Sequence, residues 1–153
     1  MKDKRVAYKN EDGGVSVICP TPEFAADPAS NLGLLLSRSV PLGIHFEVLD
    51  VSDVPTDRYF RNAWRMGAPL SKTIEVDMPA ARAIHLDCLR AKRNKKLEEL
   101  DVPFQRALED KDTVMQDNIA SKKNKLRDMP QDVDMSLLDT PDKIKAFMPD
   151  VLV

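Results

Sequence analysis

The spacing of apolar and polar positions divides this 153-residue chain into a β-leaning first half and a helical second half. Residues 5–8 (RVAY) and Val15–Ile18 are short β-favouring runs. They flank Asn10-Glu11-Asp12-Gly13-Gly14, a turn rich in residues that accept positive φ, and predict a β-hairpin. Cys19-Pro20-Thr21-Pro22 stops the second strand, because proline cannot donate to a ladder. Residues 30–38 predict a short helix capped by Ser30 or Asn31 and weakened by Gly33. Residues 44–49 (IHFEVL) alternate, which predicts a strand with Ile44, Phe46 and Val48 inward and His45 and Glu47 outward. Residues 53–64 follow as a turn leading into a short helical piece, and 72–76 as another strand.

From Asp77 the period lengthens. Asp77 as cap and Pro79 in the first turn open a helix that runs to about residue 109, roughly 48 Å if unbroken. Pro103 lies inside it, and an interior proline costs about 3 kcal/mol unless the helix bends or restarts; Asp101 is placed to cap a restart. After the turn 110–112, Thr113-Val114-Met115-Gln116 matches a capping box and predicts a second, antiparallel helix over 114–128, ended by Met129-Pro130. Thr140-Pro141-Asp142 opens a last short helix that stops before Pro149. The fold class is therefore α+β. A small N-terminal β-hairpin unit (1–76), poor in apolar mass, is followed by a long helical hairpin (77–129) and a C-terminal tail with a short helix (130–153).

Leu97, Leu100, Phe104 and Ala107 or Leu108 form one apolar seam of the hairpin, and Met115, Ile119, Leu126 and Met129 form its match. Pairing about the turn sets Lys122 and Lys123 opposite Glu98, Glu99 and Asp101, so that basic cluster is answered internally. Residues 90–96 are not. They carry five cations in seven positions (Arg90, Lys92, Arg93, Lys95, Lys96) beyond the reach of those acids. This is a solvated face or a contact for an acidic partner. Nucleic acid is disfavoured, because no aromatic is interleaved to stack on bases and the chain as a whole is acidic, with net charge −2.

Composition narrows the function class. Charged residues make up 31% and aromatics 5%, a balance suited to an elongated or partner-dependent chain more than to a compact enzyme. Two cysteines, Cys19 and Cys88, without a CxxC or a Cys/His cluster, fit buried thiols in a reduced compartment. The first residues lack an apolar signal core, and no apolar run reaches the roughly 20 residues that span a bilayer. His45 and His85 are candidate ligands or bases, but Asp87 stands two residues from His85, a spacing that shares no helical face. No GxSxG, phosphate loop, HExxH or EF-hand occurs. No catalytic, cofactor-binding or metal-binding residue is therefore assigned, no cofactor is expected, and the chain reads as a non-enzyme. The one aromatic cluster, Arg58, Tyr59, Phe60, Arg61 and Trp64, carries the residue types that dominate binding hot spots. Alternatively, Phe60 and Trp64, four apart, staple the segment to the core.

These segments together resemble small proteins encoded in the structural gene clusters of tailed bacteriophages and prophages. The carriers are residues 10–18 (NEDGGVSVI), 53–64 (DVPTDRYFRNAW), 76–82 (VDMPAAR), 122–128 (KKNKLRD) and the tail TPD at 140–142 with PDVL at 149–152. Pro103 stands where that pattern leads one to expect a non-proline residue. The resemblance implies a virion component in the tail or at a tail or fibre attachment point, made in the bacterial host cytoplasm. It implies phage tail, fibre or baseplate proteins as partners, with a homo-oligomer admitted and no membrane. The alternative it leaves is a cytoplasmic chaperone of tail or fibre assembly that is absent from the finished particle. Candidate partner-binding residues are the aromatic cluster and the cations of 90–96.

Overall fold

The computed structural model describes residues 3–21 and 28–153. With 53% helix and 15% strand the protein is α+β, and it divides into two compact units, Met1–Ala80 and Ala81–Val153.

In the first unit, β1 (Lys4–Lys9), β2 (Val15–Ile18) and β3 (Phe46–Asp50) form an antiparallel sheet in the order β2-β1-β3. The hairpin predicted for 10–14 is present: Asn10 N–H bonds the Gly14 carbonyl at 3.0 Å, and Gly13 takes φ +80°. That is a three-residue loop closed by a left-handed glycine. A second, two-stranded sheet joins β4 (Trp64–Met66) to β5 (Ile74–Val76). The core of this unit is Ala7, Val15, Leu49, Trp64 and Ile74, with Val17, Val54, Met66 and Val76 packed against it.

The inward face of β3 is the opposite of the one its alternation predicts. Ala7 pairs with both Val17 and Glu47, and Arg5 with Leu49. Since residues directly opposite share a face, Glu47 and Leu49 turn toward the core; they are 7% and 0% exposed, whereas Ile44 precedes the strand and is 41% exposed. The other face also holds a fully buried residue, Val6, so both faces carry apolar groups and a period of two cannot choose between them. The buried Glu47 carboxylate is satisfied: Oε1 accepts the Leu70 N–H and Oε2 the Lys72 N–H, each at 2.8 Å. Both donors sit at positive φ (68° and 52°), so Glu47 holds the β4–β5 loop in a backbone conformation that side chains disfavour. Lys72 accordingly belongs to that loop, not to the strand predicted over 72–76.

The first helix, α1 (Pro28–Ser39), begins on a proline, two residues before the predicted cap. Ser30 and Asn31 lie inside it, and the capping position falls outside the described residues. Residues 57–64 form no α-helix; one 3-10 turn, Arg61–Ala63, delivers Trp64 into β4.

α2 (Met78–Glu99) starts where Asp77 Oδ1 accepts the Ala80 N–H at 3.1 Å, as the Asp77 cap predicts. It breaks at Leu100, and α3 (Asp101–Glu109) follows. Leu100 itself is the cap, with no side-chain bond, and Asp101 is the first helical residue. The expected interruption is thus present, and Pro103 lands in a first turn, where its missing N–H has no intrahelical partner to lose. α4 (Thr113–Asp132) is capped by Asp112, one residue before the predicted Thr113: the Asp112 carboxylate accepts the Met115 N–H at 2.9 Å. Gln116 instead donates its side-chain amide to the Ala107 carbonyl at 3.0 Å, tying α4 to α3.

Pro130 does not end α4. Leu126 and Met129 are 3% and 2% exposed, and the Val133 N–H closes on the Met129 carbonyl at 3.1 Å. Burial and this last bond carry the helix two residues past the proline, to Asp132. α5 (Pro141–Ala146) has the predicted Thr140 cap. The core of the second unit is Leu89, Leu126, Met129 and Leu152, joined by Leu97, Leu100, Phe147 and Val151. Residues 130–153 therefore share a core with the hairpin. Arg82 binds them again, donating to the carbonyls of Met135 (3.0 Å), Ser136 (3.3 Å) and Leu138 (2.9 Å). No helix among the described residues is long and apolar enough to cross a membrane.

Candidate functional site

The aromatic cluster separates into a buried anchor and an exposed cationic rim. Phe60 and Trp64 are 4% and 2% exposed, so these two candidate binding residues belong to the fold and offer a partner no surface. Phe60 stacks edge-on against Tyr59, ring centres 4.6 Å apart at 89°, and Trp64 is a core residue of the first unit. Arg58 and Arg61 are exposed and Tyr59 is half-buried. Backbone bonds hold the segment rigid: Arg61 N–H to the Arg58 carbonyl at 3.1 Å, Ala63 N–H to Phe60 at 2.8 Å, and Asp77 N–H to Ala63 at 2.8 Å.

This rim borders a cleft of about 420 Å³ whose lining includes Arg5, Thr56, Arg58, Arg61, Cys19 and Trp64. The Arg61 guanidinium lies 6.0 Å from the Trp64 ring centre, within cation–π range. Trp64 Nε1 is shut off from solvent and has no acceptor. Nearby Arg65, by contrast, is spoken for, bonding the Asn62 and Trp64 carbonyls and reaching Asp77 at 3.4 Å. No carboxylate among the described residues pairs with Arg58 or Arg61. Arg5 and Thr56 were not readable as partners of this cluster from the sequence, since only the strand pairing and the 51–56 connection bring them to it. Cys19 is exposed rather than buried, because it stands one residue beyond the end of β2, where Pro20 terminates the ladder.

The basic run on α2 is more nearly answered than its sequence suggests. Arg90 pairs with Asp87 at 2.8 Å, one turn back along the helix. Arg93 donates twice to the Asn94 side chain, and Lys96 Nζ reaches the Val153 carbonyl oxygen at 2.9 Å. Lys92 and Lys95 are exposed and have no partner among the described residues. Across the hairpin, Lys123 meets Asp101 at 2.6 Å and lies 5.0 Å from the Phe104 ring centre. Of the charges predicted to face each other there, this is the pair that forms. The seam is realised at Ala107, Ile119, Leu126 and Met129, while Leu108 and Met115 at the hairpin tip are each 49% exposed.

The two histidines lie in different units. His85 is 2% exposed and its Nε2, necessarily protonated, donates to the Phe147 carbonyl at 2.8 Å, so it fastens the tail to α2. His45 Nε2 stands 3.5 Å from Glu47 Oε1. No group of three or more metal-capable side chains gathers among the described residues. Cys88 is half-buried on α2. Two exposed carboxylates of the tail are more acidic than usual: Asp134, which accepts the Ser136 backbone N–H and hydroxyl and feels Arg82, and Asp139, which bonds Lys143 at 2.7 Å.

Set against protein-family models, curated proteins and solved structures, the chain matches none of them.

Proposed function

We propose that this chain is a non-enzymatic docking component of a tailed-phage particle, in the tail or at a tail or fibre attachment point, that works through protein–protein contacts. The observation that supports this reading is the division of labour in the 58–64 cluster. Its aromatic residues are spent on the core, and two arginines are left on a rigid rim with no carboxylate of their own. Arginine presented on a hydrogen-bonded backbone suits recognition of another macromolecule, since its planar fork matches a carboxylate with two donors and the segment that carries it is already ordered. The resemblance of the five sequence segments to phage structural-cluster proteins supplies the setting.

Quantitative mass spectrometry of purified particles tests the proposal. The expected result is the chain at a fixed ratio to tail proteins. Absence from particles, together with co-purification with a tail or fibre protein from infected cells, assigns it to assembly as a chaperone. Absence from both overturns the reading.

A further inference from the structure

We propose that the cleft beside Trp64 receives an acidic chain segment of a partner protein, whose carboxylates bridge Arg58 and Arg61. The inference deepens the docking role proposed above and rests on it. Two features converge on the same place. The two guanidinium groups face solvent without an anionic partner, and a planar fork of donors is matched by a carboxylate. The cleft is large enough, at about 420 Å³, for several side-chain or backbone groups. Trp64 lines the cleft, and its ring centre lies 6.0 Å from the Arg61 guanidinium, so a carboxylate held by Arg61 arrives beside the indole.

The surroundings favour an acidic peptide over a nucleic acid. Val51, Val54 and Pro55 make part of the lining apolar, suited to the stem of a peptide. Arg5 contributes positive potential while donating to the Lys4 carbonyl at 2.8 Å.

Trp64 is the chain's single tryptophan, so its fluorescence reports on this cleft alone. The test is a titration of the full chain with a hexaglutamate peptide, with hexalysine and a thymidine oligonucleotide as comparison probes. Hexaglutamate should change the Trp64 signal saturably and slow alkylation of Cys19 in a Cys88→Ser background. Raising the salt concentration should weaken both effects. Arg58→Gln and Arg61→Gln should each weaken binding about tenfold, whereas the double change Lys92→Gln with Lys95→Gln on α2 should leave it unaltered. Circular dichroism checks that the variants are folded; should a Gln variant fail to fold, the Arg58→Lys and Arg61→Lys pair, which keeps charge but loses the fork, should bind at intermediate strength.

No signal change with hexaglutamate, an unchanged response in the arginine variants, or preferential binding of the oligonucleotide overturns the proposal. The particle measurement stays independent of it. A chain present in particles whose cleft ignores hexaglutamate leaves the docking role standing and removes this one, and a chain absent from particles and tail proteins whose cleft binds hexaglutamate does the reverse.

Discussion

At the scale of single residues, two positions show how far local chemistry carries. Gly33 sits inside α1, exposed, and a Cβ there meets nothing within 4 Å. Its only effect is the entropy it releases on unfolding, so Gly33→Ala is expected to stabilise the protein by about 0.5–1 kcal/mol, read as a higher denaturation midpoint. Glu47 is the opposite case. Its two oxygens each hold one N–H of a loop at positive φ. Glu47→Gln turns an amide group toward one of those donors, leaving it unsatisfied, and is expected to cost about 1–3 kcal/mol in urea unfolding. Nothing in the sequence distinguishes Glu47 from an outward-facing strand glutamate, because its partners lie 23 and 25 residues away. The same limit hid the fate of Phe60 and Trp64: hot-spot residue types are also core residue types, and only burial separates the two roles.

At the scale of elements, the caps were legible and their exact positions were not. Asp77 and Thr140 cap as their local motifs predict. At α4 both Asp112 and Thr113 suit the role, and the preceding turn decides: with Lys111 at φ +56° and the Asp112 N–H bound to the Ala107 carbonyl at 2.9 Å, Asp112 is the residue left in extended conformation. Asp112→Ala is therefore expected to destabilise α4 by about 1 kcal/mol, while Thr113→Ala has little effect; thermal unfolding of the two variants separates them. The interruption near Pro103 was legible because proline acts through its own ring. That α4 outlasts Pro130 was not, since Leu126 and Met129 are held by packing from the tail. Arg82 makes the same point for the tail: Arg82→Ala removes donors from three carbonyls and is expected to cost about 1.5–3 kcal/mol, with increased amide exchange over 135–138 as the readout.

At the scale of the whole molecule, stability should depend on acid in a stated direction. Asp134 and Asp139 are more acidic folded than unfolded, through Ser136 and Lys143 respectively. A depressed carboxylate stabilises the fold above the ordinary carboxylate value of about 4, and that contribution is lost as pH falls through the lower folded value. Asp139→Asn should accordingly lose part of the wild-type drop in urea midpoint between about pH 6 and pH 3. The α+β class, the β-hairpin and the helical hairpin were settled by the sequence, because each follows from spacing, turn residues or proline within a few positions of itself; the Lys123–Asp101 pair was legible only because the short 110–112 turn fixes the register of the two helices. Tertiary structure alone decided the inward face of β3, the union of residues 130–153 with the hairpin core, and which cations of the 58–64 and 90–96 clusters keep no hydrogen-bond or ion-pair partner among the described residues, namely Arg58, Arg61, Lys92 and Lys95. Each of those outcomes depends on which groups distant in the chain arrive beside one another, and local periodicity holds no record of that.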